Sequence, residues 1–270
     1  MAKLLNYIMR LKNCVAVVTG AASGIGRGIA YLFAQNGAKI VAADKNIEGL
    51  SETIQTIKNI GGETLSTQID VTNPEHATQM IEKTVNRFGR VDILANVAGT
   101  GQRHSFLEAT PEEFDRVMKV NLYGTLYCAQ AAAREMIKNS YGRIINIASI
   151  AGQRAGSGRT AYGTSKAAVI GLTRQAALEL GPKGITVNAV GPGPIDTPLT
   201  RITHNNETRE AYKMYIPVGR YGAVEEVADA ALFLAGENAS YMNGHILFCD
   251  GGYVSAGIAS DYGGNVKPDH

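Results

Sequence analysis

The chain has no marked excess of either charge: 26 Lys and Arg stand against 24 Asp and Glu, a net +2 over 270 residues. That balance removes the electrostatic case for a nucleic-acid or membrane surface. Long apolar runs are also missing, and no window approaches the ~20 residues of a membrane span. The first twelve residues, broken by Lys3, Arg10 and Lys12, lack the uninterrupted apolar core and small-residue cleavage site of a signal peptide. They read as a lead-in to the first strand. Cysteine is scarce. Cys14, Cys128 and Cys249 are scattered and odd in number, which points to reduced, buried thiols of a cytoplasmic protein. What remains is ordinary globular composition, 45 % hydrophobic and 19 % charged, at a length that suits one large α/β domain or two small ones.

Residues 15–19 form a β-branched-rich apolar run that reads as a buried strand. Gly20, Ser23, Gly24, Ile25 and Gly26 follow in a glycine-rich turn, then an amphipathic helix to residue 36, closed by Gly37. Strand, turn and helix start together make a phosphate cradle, because glycines admit a close backbone approach and the helix N-terminus offers free N–H groups. Two extra residues between the first two glycines set the spacing apart from G-x-G-x-x-G. No Lys-Ser/Thr pair follows, so a P-loop is disfavoured. A second strand, residues 39–44, ends on Asp44, placed to accept hydrogen bonds from an adenosine ribose. A 2′-phosphate would meet Asp44 as a like charge, which favours NAD over NADP, although the adjacent Lys45 softens that preference.

The alternation continues. Strands are expected at residues 63–68 (ending at Asp70-Val71), 91–96, 143–148, 186–190 and 246–249. Helices are expected at 74–88, 111–138, 160–180 and 224–235. Such alternation means right-handed βαβ units and a parallel sheet covered on both faces. Ligands in such sheets bind at the C-terminal strand ends, so Asp44, Asn96 and Ser149 should converge on one crevice. Tyr162 and Lys166 stand four apart on the 160–180 helix, hence on one face. An ammonium about 5 Å from a phenol lowers its pKa by up to about two units, towards the range of proton exchange with an alcohol. Burial acts in the opposite sense. Residues 195–222 read as a mobile lid with a helix at 206–215, and residues 256–270 as a flexible tail.

From residue 12 to 253 the chain resembles the short-chain dehydrogenase/reductase family. The resemblance is carried by Thr19-Gly20 with Gly24-Ile25-Gly26, Asp70-Val71, Asn96 with Ala98-Gly99, Asn121, Ser149, Tyr162 with Lys166, and Pro192-Gly193. It implies a single doubly wound Rossmann domain over residues 13–255, with a seven-stranded parallel sheet in the order 3-2-1-4-5-6-7. It also implies NAD(P) as cofactor, a homotetramer assembled through the 111–138 and 160–180 helices, and four catalytic residues. Tyr162 would exchange the substrate hydroxyl proton. Ser149 would fix the same oxygen, Lys166 would lower the tyrosine pKa and hold the nicotinamide ribose, and the Asn121 main chain would hold a relay water. Asp70 and Val71 would face adenine, Asn96 to Gly99 the adjoining ribose, and Ile195 with Thr197 the carboxamide. Val97 replaces the second Asn of the usual Asn-Asn-Ala-Gly turn. Ser23 stands where NADP-using relatives often carry a basic residue, in accord with Asp44.

Family membership leaves the substrate open. Basic residues gather near the expected pocket: Arg103, His104, Arg154 and Arg159 (beside Ala151), with Arg201, His204 and Arg209 in the lid. Guanidinium groups grip carboxylates, sulfonates or phosphates through paired hydrogen bonds, which suggests a secondary alcohol or polyol bearing an anionic group. Solvated loop charges or subunit contacts are the other reading. The nearest alternative function is an NADPH-dependent 3-oxoacyl-carrier reductase. A non-catalytic dinucleotide sensor belongs to a different class, disfavoured by the intact Tyr162 and Lys166.

Overall fold

Seven short runs form one all-parallel sheet: β1 (Val15–Thr19), β2 (Lys39–Asp44), β3 (Thr64–Gln68), β4 (Ile93–Asn96), β5 (Gly142–Ile147), β6 (Ile185–Pro192) and β7 (Ile246–Cys249). The spatial order is 3-2-1-4-5-6-7, as the resemblance implied. The computed structural model describes residues 10–101 and 103–256. Most of the lead-in and nearly all of the tail read from the sequence lie outside those residues.

The helices are α1 (Gly24–Gln35), α2 (Ile47–Asn59), α3 (Pro74–Phe88), α4 (Pro111–Met118), α5 (Gly124–Lys138), α6 (Thr160–Leu180), α7 (Pro198–Thr203), α8 (Asn206–Tyr215) and α9 (Val224–Ala235). Successive strand residues point to opposite faces, and the core divides accordingly. Ala16, Val18, Ile40, Ala42, Ile93, Ala95 and Ile145 face one layer, with Ile29 and Phe33 of α1, Leu50 and Ile57 of α2, and Val227 and Leu232 of α9. Val17, Val41, Leu94, Ile144 and Val187 face the other, with Ala77 and Met80 of α3 and Cys128, Ala132 and Met136 of α5. Each fully buried aliphatic side chain contributes roughly 1.5–3 kcal/mol. Runs buried on both faces need no polar alternation, which is why β1, β2 and β4 read as near-continuous apolar segments, whereas the edge strand β3, with one buried residue, does not.

Cys128 lies wholly inside the second layer, and burial alone pushes its thiol up to about 12. All three cysteines are free. Among the described residues no helix is long and apolar enough to cross a membrane.

Two departures from the sequence reading bear on function. The single helix expected at 111–138 is interrupted by a five-residue π-helical turn, Lys119–Tyr123, centred on the buried Asn121. Such turns insert one residue into an α-helix and re-aim what they carry. The lid holds a second helix, α7, before the expected α8.

Candidate active site

The strands end along one edge, and the glycine turn after β1 opens there. Gly20 adopts φ +67°, and a Cβ on it would stand 2.7 Å from the Ala98 nitrogen. A Cβ on Gly26 would collide with the Gly20 carbonyl oxygen, so the first turn of α1 closes directly onto the loop. Thr19 fastens this turn to the one after β4: its hydroxyl accepts from Val97 N at 3.1 Å and Ala98 N at 3.2 Å. Helix α1 carries no acidic residue in its first turn, and Ser23 at its N-cap makes no side-chain capping bond. Helices α2 and α3, in contrast, have Asn46 and Asn73 as capping acceptors and an acid in the first turn. Unquenched N–H groups at a glycine cradle fit a pyrophosphate supplied from outside.

Asp44 closes the next position along the edge. Its carboxylate accepts from Ala22 N at 3.1 Å and Asn46 N at 2.9 Å, tying the glycine turn to the start of α2 while facing the cleft. Asp70 accepts from the backbone and hydroxyl of Thr72, which hold its carboxyl below the ordinary range.

The chemical groups converge from three elements. Ser149 follows β5 and caps a short 3-10 turn (Ile150–Gly152), accepting from Ala151 N at 3.1 Å. That turn lies flush against α6, where a Cβ on Gly152 would stand 2.7 Å from the Lys166 carbonyl carbon. Tyr162 and Lys166 face the cleft one helical turn apart, the ammonium 5.9 Å from the phenol ring centroid. Lys166 is buried, and Nζ donates to the Ile147 carbonyl at 2.7 Å. The Asn121 side chain is tied into the fold: Nδ2 donates to the Thr100 carbonyl and to Ser165 Oγ, Oδ1 accepts from Thr100 N, and the main-chain carbonyl accepts from the Thr125 hydroxyl.

At Tyr162 burial is set against the polar groups around the phenol. Burial, the largest influence, raises the Tyr162 pKa; the Ser149 hydroxyl and the Arg159 guanidinium oppose it. Burial also drives the Lys166 ammonium down, to about 8. Desolvation is the dominant influence on the phenol.

These groups line one cleft of about 920 Å³. Gly20, Ser23, Gly24, Ile25, Gly26, Asp44, Asp70, Val71, Ala98, Gly99, Ser149, Ala151, Arg154, Arg159, Tyr162, Lys166, Pro192, Gly193, Ile195 and Thr197 all stand on its wall. Asn96 and Asn121 are buried behind it. Asn96 donates to the Thr125 carbonyl and to Asn146 Oδ1, bracing β4 against β5. The predicted arginines part company. Arg154 donates to the Tyr253 carbonyl and covers its ring, and Arg159 lies over the Tyr162 ring at 5.5 Å. Arg103 stands away from the main cleft, bonded to the Thr203 carbonyl and Thr208. His104 pairs with Glu113, and Arg201 and Arg209 pair with Asp196. Sequence reasoning did not select Ser165, Tyr212, Tyr221 or Tyr253. The three tyrosines lie far from the motifs in the chain, and only Ser165, inside the Tyr162–Lys166 segment, carried a signal.

A family model described as enoyl-(acyl carrier protein) reductase matches residues 20–254. The chain belongs to the short-chain dehydrogenase/reductase family. This oxidoreductase is 39 % identical over 246 residues to the 3-oxoacyl-(acyl-carrier-protein) reductase of Thermotoga maritima, covering 91 % of this chain and 100 % of the relative. It is 41 % identical over 246 residues to the 2-(R)-hydroxypropyl-CoM dehydrogenase of Xanthobacter autotrophicus, covering 89 % and 98 %. Among solved structures, levodione reductase superposes with a TM-score of 0.88 at 32 % identity, covering 92 % and 100 %. An Agrobacterium tumefaciens protein solved with bound NADP superposes at 0.86 and 35 %, covering 92 % and 99 %.

Proposed function

We propose that this dehydrogenase/reductase uses NAD to interconvert a secondary alcohol and its ketone, and that the substrate carries an anionic group. The observation that carries the reading is that Ser149, Tyr162 and Lys166 line the same cleft as the glycine cradle. The cradle at Gly20, Gly24 and Gly26, with Asp44 beside it, would hold the cofactor, and Lys166 its nicotinamide ribose. The nicotinamide, when bound, takes or gives the hydride.

Every other step falls to the chain. In the oxidation direction Tyr162 Oη takes the hydroxyl proton; in reduction it returns it. A phenol held up in pKa keeps its proton and so carries the one that reduction needs, whereas oxidation draws on the phenolate. Ser149 hydrogen-bonds the substrate oxygen and keeps it over the tyrosine. Arg159 supports the anionic substituent, because its guanidinium flanks the Tyr162 ring and has no carboxylate partner among the described residues. NAD is favoured by the Asp44 carboxylate, which repels a 2′-phosphate.

A second reading, an NADPH-dependent 3-oxoacyl-carrier reductase, is favoured by the names of the Thermotoga maritima and Aquifex aeolicus relatives and by the NADP-bound neighbour. Initial rates with NAD(H) and NADP(H) on anionic ketones, neutral ketones and a 3-oxoacyl thioester separate the two. Tyr162→Phe is the control, expected to lose about 10²–10⁴-fold in rate. Turnover of the thioester with NADPH alone would replace the first reading by the second.

A further inference from the structure

Five guanidinium groups are paired with carboxylates: Arg27 with Glu52, Arg90 with Asp92, Arg201 and Arg209 with Asp196, and Arg220 with Glu226, while Arg103 and Arg154 bond main-chain carbonyls. Arg159, the one set over the Tyr162 ring, is held differently. Its Nη2 donates to His204 Nε2 at 3.0 Å. A guanidinium has no acceptor atom, so Nε2 must present its lone pair and the ring proton must sit on Nδ1. That nitrogen faces the Tyr221 hydroxyl at 2.8 Å and donates to it. The imidazole is locked from its faces as well. Tyr212 stacks on it at 5.3 Å with a 13° interplanar angle, and Tyr221 meets it edge-on at 6.0 Å. His204 is buried, and burial with Arg159, Arg103 and Arg209 around it pushes its pKa down to about 4. Although counted from sequence with the basic residues of the lid, it is a neutral acceptor.

A neutral acceptor aims a guanidinium without cancelling its charge. A carboxylate in the same place would also aim it, but would compete with any anion arriving in the cleft. Orientation counts because gripping a carboxylate or sulfonate with two parallel bonds depends on the plane of the fork. His204 ends α7 of the lid, whereas Arg159 is the N-cap of α6, which carries Tyr162. One bond therefore sets the lid against the catalytic helix.

We propose that His204 is a positioning residue for substrate selection: its Nε2 lone pair holds the Arg159 guanidinium beside Tyr162 with its charge uncompensated, ready for an anionic substituent of the substrate. The proposal rests on the anionic-substrate reading above.

The test is steady-state reduction by the full chain of acetoacetate and 4-oxopentanoate, each paired with its methyl ester, and inhibition by ethanesulfonate. Three variants are compared with the wild type: His204→Phe, which keeps an aromatic ring against Tyr212 without the acceptor; His204→Gln, whose amide oxygen can replace Nε2; and Arg159→Ala. For His204→Phe the acid-over-ester ratio of kcat/KM falls at least tenfold, carried by KM, and the ethanesulfonate inhibition constant rises in step. His204→Gln recovers the ratio to within about threefold. Should His204→Phe not fold, the same ratio is read on His204→Met, which fills apolar contacts and offers no strong acceptor. Equal losses on acid and ester, or His204→Gln behaving like His204→Phe, would make His204 merely structural and overturn the proposal. If Arg159→Ala abolishes the ratio while His204→Phe leaves it, this proposal alone fails. If Arg159→Ala leaves it intact, the anionic-substrate reading fails and takes this one with it.

Discussion

Asn121 Nδ2 donates to Ser165 Oγ at 2.9 Å, and the Ser165 hydroxyl donates in turn to the Tyr162 carbonyl at 2.7 Å. The π-helical turn, the loop at Thr100 and the first turn of α6 are thus joined through one buried hydroxyl. Removing it leaves Asn121 Nδ2 with only the Thr100 carbonyl. Ser165→Ala is expected to cost about 1–3 kcal/mol of stability, the usual penalty for a buried polar group deprived of its partner. It should also lower kcat more than it weakens NAD affinity, since the hydroxyl braces Tyr162 and not the glycine cradle. Denaturant melts and single-turnover rates check both parts, and wild-type values in both would remove the hydroxyl from the argument.

Lys166 makes stability depend on pH in a direction that can be worked out. Its pKa is about 8 in the folded protein, against the ordinary 10.5 of a solvated lysine, the value the unfolded chain takes. Below pH 8 both folded and unfolded chains carry the proton, and the full cost of burying the ammonium is present. Between about 8 and 10.5 the unfolded chain binds more protons, so the fold gains stability as pH rises. The gain is of the order of 3 kcal/mol. Urea unfolding of the wild type and of Lys166→Met across this window should show the wild type catching up with the variant. Parallel curves would mean that the ammonium is solvated.

Much of this was legible in the chain. The cleft edge follows from apolar runs that end in Gly20, Asp44, Asn96 and Ser149, because in a parallel sheet chain direction alone gathers those residues, whereas the strand order comes only with the family resemblance. Helix α6 and β7 match their expected bounds to the residue, having strong ends: Gly181-Pro182 after the first, and Asp250-Gly251 after the second. The π-helical turn was not legible, since 111–138 is a good helical sequence throughout and the extra residue appears only in how Asn121 bonds Thr100 and Ser165. Helix α7 escapes a sequence reading because it is six residues long, its N-cap being Thr197. The charge state of His204 was hidden too. It depends on Arg159 and Tyr221, 45 and 17 positions away, and on burial that no local pattern reports.

Gly26 tests whether the cradle is shaped by contact or by flexibility. It sits within α1, so backbone freedom is not the reason for glycine; the Gly20 carbonyl oxygen, which occupies the place a Cβ would need, is. Gly26→Ala must push the glycine turn away from the helix, at about 1–3 kcal/mol by the cost of overpacking. The melting temperature should fall by several degrees, and NAD affinity by tenfold or more, measured by calorimetry. NAD affinity unchanged at a lowered melting point would place the dinucleotide elsewhere.

On the NAD reading proposed above, Asp44 separates the two cofactors by charge, and its own bonds supply the control. The carboxylate accepts from Ala22 N and Asn46 N, so truncating it to alanine would loosen the glycine turn as well as remove the charge. Asp44→Asn is the cleaner change. Its amide oxygen still accepts a bond from one of these groups, while the repulsion of a 2′-phosphate disappears. The NADP KM is expected to fall at least tenfold, about 1.4 kcal/mol, and the NAD KM to rise by a smaller factor as the ribose hydroxyls lose a charged acceptor. Both are measured with one alcohol at saturation. If the wild type already turns over faster with NADP and Asp44→Asn leaves the ratio where it was, Asp44 belongs to the turn alone. Lys45, exposed on the same rim, would then be the group that sets the preference.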